Sequence, residues 1–213
     1  MPHTFPLDSA WTLHPARLAD GAPDLPEEIA AAVPGTVHTD LLAAGLIEDP
    51  YLDLNEQKDA WIGHSDWVYR TVIREVPEGD RVALAFDGLD TVATVLLDGE
   101  ELGRTANQHR SYRFDVTGQL REGSVVEVRF HDDWAYAEAL RDELGDRPNE
   151  YPTPGNFVRK MAANFGWDWG PQLVTAGIWR DARIEGWSRA RLDEVVTQVT
   201  VDEDGAGRVH VAA

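Results

Sequence analysis

Regular alternation between positions 67 and 130 restricts the fold of this chain more than any other feature. Apolar or β-branched side chains recur at every second position in four separate stretches. These are Trp67, Tyr69, Thr71 and Ile73; Val82, Leu84 and Phe86; Tyr112, Phe114 and Val116; and Val126, Val128 and Phe130. Because successive side chains of a strand point to opposite faces of a sheet, this spacing predicts β-strands with one buried face.

Turn signals separate these stretches at short intervals. The continuous apolar run at 92–97 predicts a further strand, and the Asp98-Gly99 pair after it favours a tight hairpin turn that returns through Leu102. Glu122 and Gly123 mark another turn. Short strands separated by regular turns are typical of a β-sandwich, so the sequence predicts an all-β fold.

A strand and a helix are expected before this region. The strand is predicted at 9–18, where Trp11 and Leu13 share a face. Thr36 is a suitable N-cap for a short helix at 37–44, and the glycine that follows would end that helix.

A helix, a loop and a last strand are expected after it. The alanine-rich stretch 134–144 predicts a helix that Gly145 ends. Residues 146–156 contain three prolines and no clear period, which predicts a loop, and a long loop on a sandwich is commonly functional. The inward-facing residues of the last strand are Ile178, Ala182 and Ile184.

The composition changes after residue 187. Residues 194–201 alternate valine with polar residues, an acidic and glycine-rich turn follows, and the chain starts back at 208–212. A single hairpin is marginal in water without further strands to pack on. The sequence therefore predicts one domain at 1–187 and the beginning of a second domain at 188–213.

Charge and composition exclude several classes of partner. The formal net charge is −19, from 38 acidic and 19 basic residues, so contact with nucleic acid or an anionic membrane surface would be repulsive. With no cysteine, the chain forms neither disulfides nor thiolate metal sites. We expect no cofactor or metal, because no Gly-rich phosphate loop or His and carboxylate metal spacing occurs. No secretory signal or membrane-length apolar run is visible, which predicts a cytoplasmic location.

The clearest chemical motif is a carboxylate between two indoles. Trp167 and Trp169 flank Asp168, and glycine and proline on both sides keep the segment out of a regular strand. The flat face of an indole suits the axial C–H face of a pyranose, and a carboxylate can accept hydrogen bonds from sugar hydroxyls. The motif indicates a polyol-binding site. The alternative is that both indoles fill the core and Asp168 caps a turn.

A second group of stretches extends along the chain in a fixed order. The motif at 165–171 is followed by another at 175–180, and five earlier stretches precede them, at 33–42, 47–51, 55–56, 67–70 and 86–95. Together they resemble the β-mannosidases of glycoside hydrolase family 2, from about Trp11 to Trp187. The chain departs from that pattern at Gln108 and His109, where Met-Phe would be expected, and this difference is predicted to affect only packing.

The resemblance implies a fold for this chain and implies which domain binds substrate and which carries the catalytic residues. It implies a jelly-roll β-sandwich of the galactose-binding type at 1–187, an immunoglobulin-like domain that begins at 188–213, and a (β/α)8 barrel beyond it. In this family both catalytic residues are glutamates on the barrel, so no catalytic residue is assigned in this chain. The implied role of Asp168 is to accept hydrogen bonds from a terminal mannose, while Trp167 and Trp169 wall the pocket.

The implied function is that of an N-terminal domain in a retaining exo-glycosidase that removes terminal, non-reducing β-D-mannose from β-mannoside oligosaccharides. The immunoglobulin-like and barrel domains of the same chain would be its partners. Three alternatives remain: a free-standing carbohydrate-binding module, a related family 2 enzyme with another glycone, and a purely structural jelly roll.

Other titratable residues are given structural roles. A catalytic carboxylate pair among Asp132, Asp133, Glu143, Asp146 and Glu150 is not expected, since nothing in their spacing predicts an apolar setting that would raise a pKa. His38 is expected to be structural. The sequence His64-Ser65-Asp66 contains the residue types of a nucleophilic triad, but adjacent residues do not align as nucleophile, base and orienting group.

Overall fold

The structure, a computed structural model, describes residues 3–7 and 10–213. The strands of this part of the chain are β1 (His3–Pro6), β2 (Trp11–Arg17), β3 (Ile29–Ala31), β4 (Asp66–Val72), β5 (Arg81–Phe86), β6 (Val92–Leu97), β7 (Glu100–Ala106), β8 (Tyr112–Asp115), β9 (Val125–Phe130), β10 (Ala182–Trp187), β11 (Val196–Val201) and β12 (Gly207–Ala212). The α-helices are α1 (Val37–Ala43), α2 (Asn55–Lys58) and α3 (Asp133–Leu144), and 3₁₀ helices span Ala60–His64, Pro154–Phe157 and Ala162–Phe165.

Ten of these strands form two antiparallel sheets. One sheet has the order β3-β2-β4-β9-β6-β7 and the other the order β1-β10-β5-β8. Each predicted alternating stretch supplies one strand, and Asp98 and Gly99 form the turn between β6 and β7 with positive φ angles of 51° and 88°. The predicted all-β jelly-roll sandwich is confirmed.

The core lies between the two sheets. The predicted inward face of β4 is buried: Trp67, Tyr69 and Thr71, together with Ile73 just after the strand, each have 2% or less of their surface exposed. Side chains in register on neighbouring strands complete this layer, as when Tyr69 pairs with Val128, which pairs with Val95. One apolar cluster includes residues of both sheets, so the sheets share a single core.

Helix α1 begins as predicted. The Thr36 hydroxyl accepts a hydrogen bond from the Thr39 backbone amide, and the Thr39 hydroxyl accepts one from the Thr36 backbone amide. Both hydrogen bonds of a capping box are therefore present. The helix ends at Ala43, one residue earlier than expected, and Gly45 follows with a φ of 68°. No helix in the described residues is both long and apolar enough to cross a membrane.

Some element boundaries differ from the predictions. The first predicted strand is β2, which starts at Trp11; Ser9 lies outside the described residues. The last strand of the sandwich is β10, and Ile178 is buried in the segment before it. The predicted loop at 146–156 includes the start of a 3₁₀ helix. Strands β1 and β3 were not predicted, because each has only three or four residues and is held by its neighbour in the sheet.

Strands β11 and β12 form a two-stranded sheet of their own. Cross-strand pairing places Val199 opposite Val209 and Thr197 opposite Val211, so these side chains share one face with Val201. The four valines of this face are 56–70% exposed. The predicted hairpin at 194–212 is therefore present, and its apolar face is uncovered in this chain.

Candidate functional site

The Trp-Asp-Trp motif forms a tight turn on the surface. The Gly170 amide donates to the Trp167 carbonyl at 3.3 Å, which leaves Asp168 and Trp169 at the two central positions of the turn. Gly166, just before it, has a φ of 99°, a left-handed conformation that favours glycine. The backbone therefore projects the carboxylate and the second indole away from the sandwich.

The two indoles are exposed. Trp169 has 83% of its surface exposed and Trp167 has 41%, and their ring centroids lie 6.0 Å apart with the planes at 70°. Asp168 is also exposed. The alternative that both indoles fill the core is therefore wrong.

A cavity of about 590 Å³ adjoins this turn. It falls in the range of small-molecule sites, which are mostly apolar with a few placed polar groups. Trp167 and Trp169 line it, and Asp168 stands between these two residues in the turn. The remaining walls come from loops that are distant in sequence; they include Tyr51, Asp90, Gln108, Met161, Thr175 and Trp179.

A buried ion cluster holds the loop that carries the motif. The Lys160 ammonium has no exposed surface; it contacts the Asp90 carboxylate and lies 3.2 Å from Asp133 Oδ2. It also donates to the Thr175 carbonyl at 2.6 Å, and the Thr175 hydroxyl donates to Asp90 Oδ2 at 2.6 Å. The cluster therefore joins both sides of the motif loop to the sandwich, since Asp90 precedes β6 and Asp133 begins α3.

Hydrogen bonds from a side-chain amide and from a backbone amide also anchor the motif loop. Asn164 Nδ2 donates to the Leu173 carbonyl at 2.8 Å and to the Thr175 hydroxyl at 3.0 Å, which closes the motif loop on itself. The backbone amide of Gln172 donates to Glu56 Oε2 at 2.8 Å. This contact ties the loop to α2, which contains the family-like pair at 55–56 noted in the sequence.

Gln108 makes hydrogen bonds to two walls of the cavity, which the sequence did not predict. The expectation was that Gln108 and His109 would change only a packing detail. Instead, Gln108 is 6% exposed, its Oε1 accepts from the Met161 amide at 2.8 Å, and its carbonyl accepts from Trp179 Nε1 at 3.2 Å. Gln108 thus fixes two walls of the cavity, and His109 also lines it.

The expectation of unperturbed carboxylates is wrong for Asp133. Burial raises the pKa of Asp133 to about 6, although the nearby Lys160 ammonium acts in the opposite direction. Asp133 does not line the cavity, so this shift belongs to the ion cluster. Glu143, Asp146 and Glu150 are exposed, as expected for a solvated region.

Asp132 and the histidines have structural surroundings. Asp132 caps α3 by accepting from the Ala135 amide at 2.9 Å. His38 is buried, and its burial together with the Lys160 charge lowers its pKa to about 4. His64 stacks on Trp134 at a centroid distance of 5.2 Å. The structural role predicted for His38 agrees with this geometry.

His64, Ser65 and Asp66 do not act together. The Ser65 hydroxyl donates to the Trp61 carbonyl at 2.7 Å, and Asp66 accepts two hydrogen bonds from Arg17. Among residues 3–7 and 10–213, no three His, Cys, Asp or Glu side chains are grouped so that they could hold a metal ion.

Three residues of the site were missed in the sequence. Asp90 lies inside the stretch 86–95, which was noted only as part of the resemblance, Lys160 lies between the loop at 146–156 and the motif at 165–171, and Tyr151 lies in that loop. The Tyr151 hydroxyl donates a hydrogen bond to Asp168 Oδ1. The only signal for Tyr151 was that this proline-rich loop leads directly into the motif.

The fold and the cavity together define a galactose-binding-like β-sandwich domain. Residues 11–180 match the family described as glycosyl hydrolase 2 galactose-binding domain-like, and the chain belongs to that family.

Proteins similar to this chain include β-mannosidases. A β-mannosidase of Capra hircus is 36% identical over 203 residues, which are 88% of this chain and 22% of that protein. A β-mannosidase B of Aspergillus fumigatus is 38% identical over 208 residues, which are 94% of this chain and 24% of that protein. The crystal structure of a β-D-mannosidase from Dictyoglomus thermophilum superimposes with a TM-score of 0.87 at 31% identity, covering 98% of this chain and 25% of that one. The chain thus spans less than a quarter of the curated relatives it matches here.

Proposed function

We propose that this chain is the N-terminal, sugar-binding domain of a β-mannosidase that removes terminal, non-reducing β-D-mannose from β-mannosides with retention of configuration. Retaining hydrolysis needs two carboxyl groups that flank the scissile bond, one as nucleophile and one as acid and base. We assign both to glutamates of a (β/α)8 barrel elsewhere in the full-length protein. This chain supplies substrate contacts and no catalytic residue.

The observation that supports this role most directly is the exposed turn at the edge of the cavity. Asp168 presents a carboxylate between two exposed indoles, where a sugar ring could stack while its hydroxyls donate hydrogen bonds. The similarity to β-mannosidases over about nine-tenths of the chain supports mannose as the glycone. A cytoplasmic location stays a prediction.

The uncovered hairpin supports the proposed domain division at residue 187. Strands β11 and β12 pack on neither sheet of the sandwich, and the valines on one face of the hairpin are exposed. A two-stranded sheet with an open apolar face is marginal in water. We therefore assign 188–213 to the beginning of an immunoglobulin-like domain that covers this face in the full-length protein.

The substrate assignment is tested with the full-length protein on nitrophenyl β-mannoside and nitrophenyl β-galactoside. We expect clear preference for the mannoside, because the hydroxyl arrangement of the glycone selects among otherwise similar sugars. Equal or greater activity on the galactoside would favour a family 2 enzyme with another glycone. Absence of activity on both, with retained binding of sugar, would favour a carbohydrate-binding module.

The role of Asp168 is tested by Asp168→Ala in the full-length protein. A hydrogen bond to a charged group contributes about 1.5–3 kcal/mol, so kcat/KM on the β-mannoside should fall by about 10- to 100-fold. Asp142→Ala is the matched control, since Asp142 is an exposed aspartate on α3 away from the cavity. Equal activity of the two variants would instead support the purely structural jelly roll.

A further inference from the structure

The loop at 146–156 places a phenol against the candidate sugar-binding carboxylate. Tyr151 is half-buried, its hydroxyl donates to Asp168 Oδ1, and its ring lies 5.6 Å from that of Trp167 at an interplanar angle of 52°. The Trp167 ring in turn lies 6.0 Å from that of Trp169, so the three aromatic rings follow one another in the order Tyr151, Trp167, Trp169.

A hydrogen bond within the loop and a ring contact both restrict the position of Tyr151. Asn149 Nδ2 donates to the Thr153 carbonyl at 2.7 Å, which closes a turn with Tyr151 at its centre. The ring contact with Trp167 adds a second constraint on the side chain. Tyr151 is therefore held in place by contacts that do not involve its hydroxyl.

We propose that Tyr151 is a positioning residue of the sugar site: its hydroxyl holds Oδ1 of Asp168 and leaves Oδ2 as the oxygen that accepts hydrogen bonds from the sugar. This inference rests on the proposed function of Asp168. Without such a contact, an exposed carboxylate rotates freely, because the last torsion of an aspartate side chain is broad and two-fold. Fixing it before the ligand arrives reduces the entropy that binding must offset.

The chemistry of the pair suits this role. A phenol with an ordinary pKa near 10 is a hydrogen-bond donor at neutral pH, and its bond to a carboxylate is charge-assisted. The hydrogen bond to Asp168 raises the pKa of Tyr151 further. The donor therefore stays protonated throughout the neutral range, and Oδ1 stays occupied.

The test is a double-mutant cycle on the full-length protein with nitrophenyl β-mannoside. Tyr151→Phe keeps the ring packed on Trp167 and removes only the hydroxyl; we expect kcat/KM to fall by about 3- to 10-fold, mainly through a higher KM. In the Asp168→Ala background the same change should have no effect, because the hydroxyl acts only through Asp168. Tyr136→Phe is the control, since Tyr136 is also half-buried but lies on α3 outside the cavity.

The possible outcomes separate the two proposals. If Asp168→Ala lowers activity but Tyr151→Phe does not, or lowers it equally in both backgrounds, the role of Tyr151 is overturned while the proposed function stands. If Asp168→Ala has no effect, the proposed function fails and the role of Tyr151 fails with it.

A spectroscopic readout tests the contact without substrate. In full-length protein with 13C-labelled tyrosine, the Cζ resonance of Tyr151 is identified by its loss in Tyr151→Phe. Its ionisation should move to lower pH in Asp168→Ala, because the carboxylate disfavours the phenolate. An unchanged titration would show that the two side chains are not in contact and would overturn the proposal.

Discussion

Lys160 and Lys58 are the two lysines of the chain, and their surroundings are opposite. The Lys160 side chain is fully buried between Asp90 and Asp133, whereas Lys58 is 66% exposed and lies 3.5 Å from Glu48. A buried charge is tolerated only when its partners are in place, because removing it leaves the opposite charges without compensation. A surface pair is screened by solvent and contributes little.

The first prediction is that Lys160→Met destabilises the chain far more than Lys58→Met. We expect Lys160→Met to lower the free energy of unfolding by about 3–5 kcal/mol, because it leaves two buried carboxylates unpaired. Lys58→Met should change it by about 0.5 kcal/mol or less. Urea unfolding at pH 7 followed by tryptophan fluorescence measures both. Equal values for the two variants would show that the ion cluster is not needed for the fold.

Helices α1 and α3 each contribute one buried titratable group whose pKa the Lys160 charge lowers. His38 of α1 has a pKa lowered to about 4, and Asp133 of α3 has a pKa raised to about 6. The unfolded chain binds more protons than the folded one at His38, so this residue makes stability fall as the pH falls from 6.5 to 4. At Asp133 the folded chain binds more protons, so this residue makes stability fall as the pH rises from 4 to 6. The effects of His38 and Asp133 on the free energy of unfolding therefore oppose each other over nearly the same pH range.

The second prediction follows from this opposition. Asp133→Asn removes the acidic group and leaves His38 uncompensated, so the variant should lose stability between pH 6.5 and pH 4 more steeply than the unsubstituted chain, by an amount on the order of 3 kcal/mol. Urea unfolding at pH 7, 6, 5 and 4 measures the difference. Asp142→Asn on the exposed face of the same helix is the control. Parallel pH profiles for all three proteins would contradict the assignment of opposed shifts.

Two regions of the described residues expose several large apolar side chains each. One surrounds the cavity, where Trp169 is 83% and Tyr51 is 73% exposed, and the other is the valine face of the β11–β12 hairpin. Contiguous apolar surface of this kind marks sites of interaction with ligands or other protein surface. Under the proposed function the first region meets the sugar and the barrel, and the second is covered by the rest of the immunoglobulin-like domain.

The third prediction tests the covering of the hairpin. Val209 is 65% exposed in this chain, so Val209→Thr should change the stability of the isolated chain by about 0.5 kcal/mol or less. In the full-length protein it should cost about 1–3 kcal/mol, because it would bury a hydroxyl without a partner. His210→Thr on the opposite face is the control. Thermal unfolding of both forms measures the difference, and equal effects of Val209→Thr in the two forms would count against the domain division.

Much of the fold was predictable from short-range patterns. The alternation at Trp67, Tyr69 and Thr71 predicted an inward face that is fully buried, and Thr36 predicted the start of α1. Strand β1 was not predictable, because a run of four residues has no period of its own and depends on pairing with β10.

The candidate site was predictable only in part. The motif marked Trp167, Asp168 and Trp169, and the structure shows that both indoles line one cavity while Asp168 is exposed in the turn between them. Their role in binding sugar stays a proposal. The contacts of Tyr151 with Asp168, 17 residues away, and of Lys160 with Asp90, 70 residues away, had no signal in the sequence.

The sequence by itself determined the longer strands, the turns, the helix cap and the motif, because these depend on steric preferences and hydrogen bonds within a few residues. Only the tertiary structure decided that the two indoles face solvent, that Asp133 is buried beside Lys160, and that Tyr151 reaches Asp168. Exposure, the pKa of a buried group and the shape of a cavity depend on which distant segments the sheets bring together. No local pattern in the chain specifies those neighbours.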